Sequence, residues 1–100
     1  MATNPKSTDH EWLKSKIYQL EEEFRWCAMH PNDVSKVGME QLKQAIDELY
    51  NHILKVGGKF LEHFNHFKSQ FEYALENFES IKPSQFQQFE DLIQVIIKDL

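Results

Sequence analysis

The sequence predicts an all-α domain built as a four-helix up-down bundle, and three observations predict it. Apolar residues recur at alternating steps of four and three over long stretches, which is the period of a helix burying one stripe. Breaks in that pattern are few and carry helix-ending chemistry. Only three Gly and three Pro are present, too few for the turns of an all-β fold. One hundred residues bound a single domain, with 41% apolar and 27% charged residues, an ordinary globular balance.

Residues 1–7 are polar and read as a flexible arm, with the helical domain spanning 8–100. Thr8 and Glu11 have the spacing of a capping box at the start of the first helix. In that helix Leu13, Ile17, Leu20, Phe24 and Cys27 make one stripe, flanked by Trp12 and Trp26. Pro31 ends it, because the residue before a proline avoids the α region. His30-Pro31-Asn32-Asp33 is a loop, and Asp33 or Ser35 caps the next helix. Lys82-Pro83-Ser84 is the second clear break: either Ser84 and Gln87 form a capping box or Pro83 takes the first helical position. Phe86, Phe89, Leu92, Ile93, Ile96, Ile97 and Leu100 give the last helix a wide apolar face.

Between these breaks runs a seam of Leu42, Ile46, Leu49, Ile53, Val56, Phe60, Phe64, Phe67, Phe71, Ala74, Phe78 and Ile81, interrupted by Gly57-Gly58. Two architectures fit. As a turn, Gly57 ends one helix with a left-handed residue and Gly58 starts the next. Inside a helix the two glycines would cost roughly 2 kcal/mol relative to alanines. Against the turn, the apolar phase carries across the pair, and no Ser, Thr, Asp or Asn cap stands beside it. The alternative is a long central helix over 39–81, about 65 Å at 1.5 Å per residue, in an elongated helical dimer. The hairpin of four helices is the reading adopted, with a homodimer expected in either case, since a core of this size is modest.

Charge narrows the partners. The net charge is −5 and the 11 Lys and Arg are scattered singly, so the clustered cations of a nucleic-acid binder are missing. An acidic surface suits solubility or a basic partner. A single cysteine, Cys27, excludes an intrachain disulfide. Met1–Asp9 has no apolar stretch, so no secretory leader is expected; apolar runs along the chain are short, so no membrane span is expected, and the expected location is cytoplasmic.

Candidate sites are sparse. Seven of eight Phe lie between Phe60 and Phe89, a cluster that reads as core or as the lining for an apolar ligand or partner helix. Trp12, Tyr18 and Trp26 with Phe64, Phe67 and Phe71 are the expected partner-binding residues, because helix 1 carries more apolar surface than one core contact needs. His63 and His66, three apart on a helix, are weak metal candidates. The Glu-x-x-His pairs of di-iron bundles are missing, since Glu48 and Glu62 are followed three residues on by Asn51 and Asn65. No cofactor is expected. Cys27 on the apolar face reads as a buried thiol, and Glu21-Glu22-Glu23 as a solvated face.

The run His52-Ile53-Leu54-Lys55-Val56-Gly57-Gly58 resembles the motif of histidine phosphotransfer domains, which are also four-helix bundles. The resemblance covers these seven residues and implies a phosphoryl-accepting His52 assisted by Lys55. Val56 departs from it, standing where that family has glycine. The expected function remains a non-enzymatic interaction module, a small adaptor, regulator or inhibitor acting through helix packing as a homodimer. Phosphoryl relay at His52 is the alternative, and a metal- or apolar-ligand-binding bundle a further one.

Overall fold

A computed structural model describes the backbone of residues 5–99 and the side chains of residues 11–99. Four helices follow in order: α1 (Pro5–Met29), α2 (Lys36–Val56), α3 (Gly58–Glu76) and α4 (Pro83–Lys98). Short 3₁₀ turns at Pro31–Asp33 and Phe78–Ser80 bridge α1 to α2 and α3 to α4. The molecule measures 50 × 23 × 22 Å. The helix α1 starts at Pro5, so Thr8 lies inside it and does not cap it. Residues 1–4 of the expected arm, and Leu100 of the last apolar face, lie outside the described residues.

Cross-helix pairs fix the directions. Glu21 of α1 accepts a hydrogen bond from the Gln94 side chain of α4 at 2.7 Å, and Arg25 meets Glu90 at 3.4 Å. On the other side Lys43 of α2 meets Glu72 of α3 at 3.8 Å, and Asp47 meets Lys68 at 3.6 Å. In each set one number rises as the other falls, so both helix pairs are antiparallel. The long helix over 39–81 is therefore excluded. The chain reverses at Gly57, whose φ of 70° and ψ of −164° only glycine adopts readily. Its N–H still bonds the Ile53 carbonyl at 3.1 Å, closing α2. Gly58 also has φ 70°. The apparent phase across the turn breaks at Val56, which is exposed.

The other boundaries follow their caps. Ser35 Oγ accepts from the Gly38 N–H at 3.0 Å and starts α2. Pro83 takes the first position of α4, and Gln85 Oε1 accepts from the Lys82 N–H at 2.7 Å. The predicted stripes close on one another within one chain. Leu13, Ile17, Leu20, Phe24 and Cys27 meet Phe60, Phe64, Phe67, Phe71, Phe86, Phe89 and Ile93 in a single core, with Met39, Ile46, Leu49 and Ile53 from α2. Phe24 is its hub, edge-on to Phe67, Phe71 and Phe89 at centroid distances of 5.6, 5.5 and 5.6 Å. Glu21 corrects the reading of a solvated acidic run: it is buried, held by Gln94 and Arg25, while Glu22 and Glu23 are exposed.

Candidate functional site: the cleft between α1 and α2

The helices are not packed equally. α1 lies along α4, and α3 against both α2 and α4, but α1 and α2 touch far less. Side-chain size explains the opening. Gly38, Ala45 and His52 are spaced by seven on α2, so they share one face turned toward α1. The first two are too small to reach across. Trp12 closes one end by resting on the His52 ring, with centroids 4.3 Å apart. A cleft of about 480 Å³ remains between the helices, open along one side. That volume lies within the range of roughly 300–1,000 Å³ seen for ligand pockets.

Leu20, Cys27 and Leu49 line its depths and Leu42 and Val34 its sides, with Trp12 near one end and Trp26 near the other. The tryptophans are fourteen residues apart on α1, about 21 Å along the axis at 1.5 Å per residue. Trp26 is 47% exposed, and His30 leans against it at 4.9 Å. Charged Glu23, Asp33, Glu48 and Lys16 and polar Gln19, Ser35 and Gln41 also line it, so the cleft is mixed in character. Lys16 Nζ sits 5.8 Å from the Trp12 ring centre. Burial pushes the Cys27 thiol up to about 11, with the charge of Glu23 adding to the shift, so it is neutral at ordinary pH and unsuited to nucleophilic work.

The expected partner-binding residues separate. Trp12 and Trp26 line the cleft. Tyr18 is exposed on α1 but outside it. Phe64, Phe67 and Phe71 are in the core, each at most 1% exposed, so no partner reaches them in the folded chain. Helical period alone cannot tell an inward aromatic stripe from an outward one; the neighbouring helices decide it.

The histidines also separate. His52 is half-buried under Trp12, Lys55 is exposed, and Val56 stands exposed one turn beyond His52. An imidazole that exchanges phosphoryl groups with another protein needs an open approach, and here an indole occupies one side of the ring. His63 Nδ1 lies 2.6 Å from Asp99 Oδ2, tying the start of α3 to the end of α4, while His66 is exposed. Among the described residues no three His, Cys, Asp or Glu side chains gather closely enough to hold a metal ion. Among them too, no helix is long and apolar enough to cross a membrane.

The paired ions lie away from the cleft. Lys43 bonds Asp47 at 2.8 Å and holds its carboxyl below the usual carboxylate range, with Lys68 assisting. Arg25 is engaged by Glu21 and Glu90, which raise its pKa further. No family model, curated protein or solved structure matches this chain. What defines the molecule is thus its own geometry: a four-helix bundle with one seam left open.

Proposed function

We propose that the chain is a non-enzymatic interaction module, a small adaptor, regulator or inhibitor, that takes a helix of another protein into the α1–α2 cleft. One observation carries this reading: both tryptophans of the chain line the same open cleft, about four helical turns apart. Tryptophan is enriched at interface hot spots because it buries a large rigid surface at low entropic cost. A fifth helix laid between α1 and α2 would cover Leu42, Val34 and Trp26 as bundle helices cover one another. The core is complete without a second copy, which supports a separate partner over the homodimer.

The test is a titration with amphipathic helical peptides of about four turns. They share one apolar face and differ in having a neutral, cationic or anionic polar face. Fluorescence of Trp12 and Trp26 and backbone amide shifts report the site. Shifts confined to the cleft, from at least one peptide, and lost in Ala45→Phe, which fills the cleft, support the reading. No cleft response to any of the peptides sinks it.

A further inference from the structure

We infer that the occupant of the α1–α2 cleft is a cationic amphipathic helix of a different protein, seated with its basic end against Trp26. The inference rests on the docking reading above and adds the chemistry of the partner.

Charge is distributed unevenly along the cleft. Near Trp12, Lys16 and Glu48 offset one another. Near Trp26 stand Glu23 and Asp33, and an adjoining surface depression is lined by Glu22, Glu23 and Trp26 alone. An exposed indole flanked by two carboxylates suits a Lys or Arg head group. The ring face attracts the cation, and the carboxylates accept its hydrogen bonds.

The chain's own cations do not fill this role. Among the described residues, Arg25 is engaged by Glu21 and Glu90, and Lys43 and Lys68 by Asp47 and Glu72. Of these, Arg25–Glu90 joins α1 to α4, and Lys43–Glu72 and Lys68–Asp47 join α2 to α3, on the closed seams. Glu22, Glu23 and Asp33 have no ion pair among the described residues. Other ionisable groups at this end include His30, which leans on Trp26, and Lys36 and Glu40 in the first turns of α2, which do not line the cleft. A second copy of the chain is a poor occupant because it brings a net charge of −5 to an acidic rim.

The experiment compares affinities of the cationic, neutral and anionic peptides for the full chain, read by tryptophan fluorescence at low and at high salt. The cationic peptide is expected to bind tightest and to weaken with salt. Glu22→Gln, Glu23→Gln and Asp33→Asn should each weaken it about threefold, and together about tenfold or more, as rim ion pairs do. Glu79→Gln, in the turn before α4, should leave it unchanged. Equal binding of the neutral peptide, or no loss in the triple variant, overturns the inference while the docking reading stands. Silence from every peptide overturns both. A concentration-dependent mass abolished by Ala45→Phe would give the cleft to a second copy and overturn the inference.

Discussion

Cys27 shows how burial sets the chemistry of a single side chain. It is 4% exposed, and its thiol is pushed from 9.0 to about 11 by loss of water and by the nearby Glu23 charge. The fold favours the neutral thiol, so its contribution is fully present below 9.0. It is lost as pH rises from there through about 11, because the unfolded chain ionises first. Alkylation at or below about pH 8 should therefore be about a hundredfold slower in the folded chain than in urea, the ratio of thiolate populations across that shift. Cys27→Ala should flatten the alkaline loss of stability seen in urea titrations. Equal alkylation rates would show that the thiol is open. The inward position of Cys27 was legible from its place in the stripe of α1. Glu21 was not: it stands in a run of three glutamates, and only the approach of Gln94 from α4 reveals that one of them is buried. Trp12 and Trp26 were legible as surplus apolar surface, though what they face depends on α2.

At the scale of the element, Gly57-Gly58 decides the architecture, and substitution gives opposite signs for the two chain paths. In the observed turn both residues have φ 70°, and an added Cβ would meet nothing within 4 Å. The penalty for alanine is thus backbone strain alone, about 1–3 kcal/mol at each position. Were the pair inside a continuous helix, Gly→Ala would instead stabilise by about 1 kcal/mol each. Gly57→Ala and Gly58→Ala are expected to lower the urea midpoint, and a rise would contradict the hairpin. The sequence left the two paths close because its apolar period ran through the pair. The period was misleading at one residue: Val56 fits the spacing but faces solvent. The other helix boundaries were clearer because Ser35 and Pro83 act locally, through a cap and a fixed φ, without reference to the rest of the fold.

For the whole molecule, the up-down bundle was legible because short breaks force consecutive helices to lie antiparallel. Which seam stays open was not, since it depends on the two small residues of α2 meeting the tryptophan flank of α1. That arrangement also bears on assembly. A homodimer was expected because the core of a hundred-residue chain is modest. In the structure the stripes of all four helices close within one chain, and the large apolar residues left exposed are scattered: Tyr18, Leu54, Val56, Tyr73 and Val95 lie outside the cleft, and Trp26 lines it. Folding should then be independent of a second copy, and the thermal midpoint should not move over a hundredfold range of protein concentration. Coupling to dimerisation would add about 1.4 kcal/mol per chain across that range, half of RT ln 100. At about 4–8 °C per kcal/mol for a domain of this size, the midpoint would rise by on the order of ten degrees. Differential scanning calorimetry resolves such a shift easily. A rise of that order would restore the obligate dimer, whereas a constant midpoint leaves the cleft free for a helix from another protein.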